Sequence, residues 1–84
     1  MYRVVYKPAA GRDVDKLPRH VLPELRDAIT ALATEPRPGG CKKLRGAGGL
    51  WRIRIGTYRV VYHVDDAARV VTIARAGHRR DIYR

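Results

Sequence analysis

The sequence predicts an α+β domain in the order β-α-α-β-β-β, with two N-terminal helices packed on one face of an antiparallel sheet. Three observations carry that prediction. Apolar residues recur at helical spacing only between about residues 9 and 35. Alternation with period two dominates the second half, most clearly in Leu50-Trp51-Arg52-Ile53-Arg54-Ile55, as in a strand with one buried and one wet face. The later strands are joined by turns too short for a crossover, which makes them antiparallel neighbours.

Residues 2–7 read as the first strand, Val4 and Tyr6 alternating with Arg3, Val5 and Lys7. Pro8 ends it. A short helix follows over about 9–17, with Ala10, Val14 and Leu17 at helical spacing, until Pro18 breaks it. A longer helix spans about 20–35, where Val21, Leu22, Leu25, Ala28, Ile29 and Leu32 form one stripe. Pro23 fits that helix only in its first turn. Glu35-Pro36-Arg37-Pro38-Gly39-Gly40 reads as a turn-forming linker. A basic stretch, Lys42-Lys43-Leu44-Arg45, and a glycine-rich loop, Gly46-Ala47-Gly48-Gly49, lead into three strands over about 50–55, 58–64 and 69–76. Gly56-Thr57 and Asp65-Asp66 turn one strand into the next, and Gly77 is expected to end the last.

At 84 residues the chain reads as one domain over 1–84, with a single modest core and room for an open groove rather than a deep pocket. Cys41 is the only cysteine, which excludes an internal disulfide and any metal site built from several thiolates. Neither a metal nor a cofactor is expected. The apolar run at the N-terminus is too short for a signal peptide, and no stretch approaches the ~20 residues of a bilayer span. No membrane partner is therefore expected, and a reducing cytoplasm is the expected location.

The charge is unevenly stored. Residues 42–84 hold eleven Lys and Arg against three acids, whereas residues 1–41 hold seven against five, within a net charge of +10. Fourteen of the eighteen cations are arginine, whose flat fork grips phosphate through two hydrogen bonds and stacks on bases. With Gly56-Thr57 as a two-residue hairpin loop, Ile55 lies opposite Tyr58, Arg54 opposite Arg59, Ile53 opposite Val60 and Arg52 opposite Val61. One face then carries Trp51, Ile53, Ile55, Tyr58, Val60 and Tyr62; the other carries Arg52, Arg54, Arg59, Val61 and His63. Arginine directly across from arginine costs stability, and a bound polyanion such as RNA compensates it. Lys42, Lys43, Arg45 and Arg80 are candidate backbone-phosphate contacts. Just past the last strand, Gly77-His78-Arg79-Arg80-Asp81-Ile82-Tyr83-Arg84 adds an imidazole, guanidiniums and a phenol, able to fold back over the sheet.

Lys43-Leu44-Arg45-Gly46, Trp51-Arg52-Ile53-Arg54, Tyr58-Arg59-Val60-Val61-Tyr62 and Gly77-His78-Arg79-Arg80-Asp81-Ile82-Tyr83 together resemble the RelE family of bacterial toxin–antitoxin systems over essentially the whole chain. The resemblance implies a microbial-ribonuclease-like fold and a ribosome-dependent, metal-independent endoribonuclease that cleaves mRNA in the A site. It further implies a cognate, usually acidic antitoxin, and a toxin–antitoxin hetero-oligomer that binds operator DNA through the antitoxin. Carried onto this chain, the family's catalytic positions match Arg52, Arg54, Arg59, Arg79 and Tyr83. The best-known members have lysines where this chain has Arg52 and Arg54, and arginine stays protonated, so these two are expected to act on charge. His78 has the side chain best suited to proton transfer near neutral pH. The related ParE-type toxins share the fold and inhibit DNA gyrase, which supplies a non-nuclease alternative. An inactive relic that only binds antitoxin and DNA is a third.

Overall fold

The computed structural model describes residues 1–46 and 48–82. Strand β1 (Arg3–Tyr6) leads through helix α1 (Pro8–Asp15) and helix α2 (Leu22–Ala31) to β2 (Lys42–Lys43), β3 (Leu50–Ile55), β4 (Tyr58–Asp65) and β5 (Val70–His78). The five strands form one sheet in the order β1-β5-β4-β3-β2. The expected meander β3-β4-β5 is antiparallel, and β1 joins its far edge parallel to β5, making the sheet mixed. The short β2 adds to the opposite edge. Its sequence is too brief and too polar to show alternation, so only the partner strand reveals it.

Both helices cover the same face. Ala10 and Val14 of α1, with Leu25 and Ile29 of α2, pack with Ile53, Ile55, Val60, Tyr62, Val71 and Ile73 in one core. Pro8 starts α1 and Pro23 sits in the first turn of α2, where a missing N–H costs nothing. Both helices are shorter than their apolar stripes because their ends tighten into i→i−3 bonds, such as Leu17 N–H to Val14 O and Leu32 N–H to Ile29 O. Leu32 is nevertheless fully buried. No helix among the described residues is long and apolar enough to cross a membrane.

Gly56 alone takes a positive φ in the β3–β4 loop, +61°, the pattern of a type II′ turn, whose twist matches the flanking strands. Gly77 does not end β5. It pairs with Arg59, and His78 pairs with Tyr58, because the ladder to β4 outweighs a glycine's weak strand propensity. A β-bulge on β5 leaves Ala74 unpaired: Val61 faces Arg75 while Tyr62 faces Ile73. The proline-rich linker is stitched down rather than loose. The Tyr62 hydroxyl donates to the Pro36 carbonyl at 2.7 Å, and the Arg37 guanidinium lies over the Trp51 ring at 5.2 Å. Arg37 also donates through both terminal nitrogens to Asp66, whose Oδ1 accepts the Tyr2 hydroxyl at 2.6 Å.

Candidate nucleic-acid interface

On the sheet face turned away from the helices, the register lines up side chains in rows across the strands. Arg54, Arg59 and Gly77 form one row; Lys42, Arg52, Val61 and Arg75 form the next; Leu50, His63, Thr72 and Val5 form a third. Every pairing expected across the Gly56-Thr57 hairpin is observed. Arg54 is exposed and directly opposite Arg59, which puts their Cβ atoms ~4.5–5.5 Å apart at a mutual cost of up to ~1 kcal/mol. Arg59 also has an interaction partner within the chain. The third position of the row has no side chain, and a Cβ built at Gly77 would meet nothing within 4 Å. The row is thus two guanidiniums beside open ground, a shape that admits an anion. Arg79 is exposed one residue beyond β5, and its N–H donates to the Thr57 carbonyl at 2.9 Å, tying the C-terminal turn to the hairpin loop.

Arg52 departs from the expected open position. It lies on the arginine-bearing face, yet it is only 6% exposed, and its Nε has no hydrogen-bond partner. The physical reason starts with β2, which makes β3 an interior strand at this point: Arg52 is flanked by Lys42 on one side and by Val61, itself buried, on the other. Leaving such a donor unpaired costs ~1–3 kcal/mol or more for a charged group.

His78 is also placed differently from expectation. As the last residue of β5 it shares a row with Tyr58 and Ile55, on the helix side of the sheet, and its ring meets the Tyr58 ring edge-on at 5.5 Å. Its Nδ1 accepts the Arg80 N–H at 3.2 Å. The imidazole lines a recess of about 320 Å3 with Lys16, Leu17, Arg75, Gly77 and Asp81, and neither Arg54 nor Arg59 lines it. Lys42 and Lys43 point to opposite faces because they are consecutive in a strand, and only Lys42 shares a row with Arg52. Arg45 and Arg80 are exposed in turns after β2 and β5. Tyr83 lies outside the described residues.

Known proteins resemble this chain throughout its length. The family model for the ParE toxin of the type II toxin–antitoxin system parDE matches residues 4–83. Toxin RelG of Mycobacterium tuberculosis is 39% identical over 84 residues, covering 99% of this chain and 97% of that protein. The chain is a RelE-type toxin of the RelE/ParE superfamily. Its fold is that of solved RelE proteins. In the toxin–antitoxin complex RelBE2 of M. tuberculosis the matching chain has a TM-score of 0.81 at 35% identity, with 92% of this chain and 96% of that one covered. In the intact E. coli RelBE complex the values are 0.81 and 28%, covering 93% and 96%.

Sequence reading missed one cation of this RelE-type face. Simple alternation from Val71 and Ile73 would send Arg75 into the core, but the bulge at Ala74 turns it into the row of Arg52. Its Nε donates to Asp13 at 2.7 Å, and the same carboxylate accepts the Ala76 N–H at 3.0 Å. Asp13 therefore caps the edge that β5 exposes once β1 has ended. Partial burial opposes ionisation of Asp13, but the Arg75 and Ala76 hydrogen bonds and the charges of Arg75 and Lys16 outweigh it and hold its carboxyl below the ordinary value. Nothing in the local sequence signals a contact between residues 62 positions apart.

Proposed function

We propose that this toxin is a metal-independent endoribonuclease that inhibits translation by cleaving mRNA in the ribosomal A site. The observation that supports it best is the Arg54–Arg59–Gly77 row with Arg79 tied beside it. Cleavage of RNA without metal needs in-line attack by the ribose 2′-OH, donors for the added negative charge, and groups that take and give a proton. Arg59 and Arg79 hold the scissile phosphate beside the space at Gly77. Arg54 grips the backbone, and Arg52, largely enclosed in the next row, adds positive potential to the same face. Tyr83 or His78 carries the proton, and His78 accepts the Arg80 N–H in the turn after β5. A site built from arginines has little acid–base capacity of its own, so alignment of the substrate by the ribosome must supply much of the rate.

The proposed partner is a cognate acidic antitoxin, as RelB partners RelE in the similar complexes. A chain of net charge +10 attracts an acidic segment that folds on contact, and the resulting hetero-oligomer would reach operator DNA through the antitoxin. Primer extension on mRNA with and without programmed ribosomes tests the activity. Ribosome-dependent cuts are expected; cutting of free RNA at an equal rate refutes the ribosome-dependent version. The ParE description of the matching family model favours a second reading, inhibition of DNA gyrase through protein contact. Induced expression that damages DNA and leaves mRNA intact would select it.

A further inference from the structure

The arginine rows continue into a second recess that the cleavage chemistry leaves unused. We propose that this recess, of about 290 Å3 and lined by Lys7, Gly48, Leu50, His63 and Thr72, is a nucleotide subsite that holds the substrate strand beyond the scissile phosphate. The proposal rests on the nuclease reading and extends it along the RNA. Leu50, His63 and Thr72 occupy one row of the same face, one row past Arg52 and four residues along β3 from Arg54, or ~13 Å. A strand lying over Arg54 and Arg59 and continuing across Arg52 therefore reaches it.

The recess has the mixed chemistry that a nucleotide needs. Lys7 supplies a cation for a backbone phosphate, Leu50 an apolar floor, the His63 imidazole a ring for stacking, and the Thr72 hydroxyl a donor or acceptor for a base edge. Among the described residues neither Lys7 nor His63 spends its side chain on a hydrogen bond or ion pair. The loop after β2 shapes the site. Gly48 and Gly49 take φ of +61° and +83°, a region L side chains avoid, and a Cβ built at Gly49 would lie 3.6 Å from His63 Cδ2. Gly49 thus lies against the imidazole, and Gly48 lines the recess with open space where a side chain would be. No acidic side chain lines it, so a polyanion meets no repulsion there.

The test is titration of 2′-O-methylated oligoribonucleotides, which cannot be cleaved, followed by NMR shifts and affinity. A pentanucleotide is expected to shift the His63 ring and Thr72 and to bind about 5- to 10-fold tighter than a dinucleotide. Lys7→Gln with His63→Ala, two exposed positions, removes that length gain, leaves dinucleotide binding intact, and lowers the salt slope by about one for the lost phosphate contact. If the double variant keeps the length gain, or His63 and Thr72 do not respond while Arg54 and Arg59 do, the subsite is refuted and the nuclease reading stands. If neither RNA perturbs any of these residues, the subsite is refuted, and the nuclease reading is decided by primer extension on programmed ribosomes.

Discussion

Arg52 offers the sharpest test of whether this toxin gives up stability for binding. Its side chain is only 6% exposed, its Nε is buried and unpaired, and its cross-strand neighbour on one side is another cation, Lys42. Arg52→Met keeps the length and apolar stem of the side chain while removing the charge. Relief of one unsatisfied buried donor is worth ~1–3 kcal/mol, and relief of the repulsion across to Lys42 adds a few tenths to ~1 kcal/mol. The expected outcome is a protein more stable by about 1–4 kcal/mol, a rise in Tm of ~4–8 °C per kcal/mol for a domain this size. Thermal and urea unfolding of both proteins measures it, with an unchanged denaturant slope confirming that the unfolded state is not the cause. The same variant should lose toxicity on expression, and phosphate-containing ligands should stabilise it less than they stabilise the wild type. Destabilisation by more than ~1 kcal/mol would refute the reasoning, since it would mean the guanidinium contributes more inside the fold than its unpaired donor costs.

Three further outcomes follow from the same geometry. The Arg37 and Tyr2 hydrogen bonds hold the exposed Asp66 carboxyl down to about 2, against an ordinary 3.8; a depressed carboxylate contributes stability above its unfolded pKa and loses it as pH falls through the folded one. Unfolding midpoints should therefore drop between about pH 4 and pH 2, and Asp66→Asn should flatten that part of the profile; an unchanged profile would sink the assignment. Tyr62→Phe strands the Pro36 carbonyl that the buried phenol satisfies, so urea unfolding should show a loss of about 1–3 kcal/mol, and a neutral result would mean that water reaches the linker. Gly77→Ala meets no neighbouring atom and needs no unusual φ, so its stability should stay within about 1 kcal/mol of wild type; if the space beside Arg59 receives the scissile phosphate, ribosome-dependent cleavage by that variant should nevertheless fall.

Where physics is local, the chain was legible by itself. The hairpin pairing of Arg54 with Arg59 followed from a two-residue loop and strict alternation, because that register turns Trp51, Ile53, Ile55, Tyr58, Val60 and Tyr62 to one face. The helical stripes named Leu25, Ile29 and Leu32 as core, and Pro23, tolerated only in a first turn, lies in the first turn of α2. Charge, too, is additive along a sequence, which is why the cationic second half pointed to a polyanion before any fold was known. Tertiary structure alone decided the rest. It paired two lysines with β3 and so enclosed Arg52, slipped Arg75 onto the arginine face through one unpaired Ala74, and carried β5 through Gly77, which left His78 on the helix side. Each of these depends on which backbone lies alongside, and a residue's own propensity is too weak to decide it against a ladder of hydrogen bonds formed with distant partners.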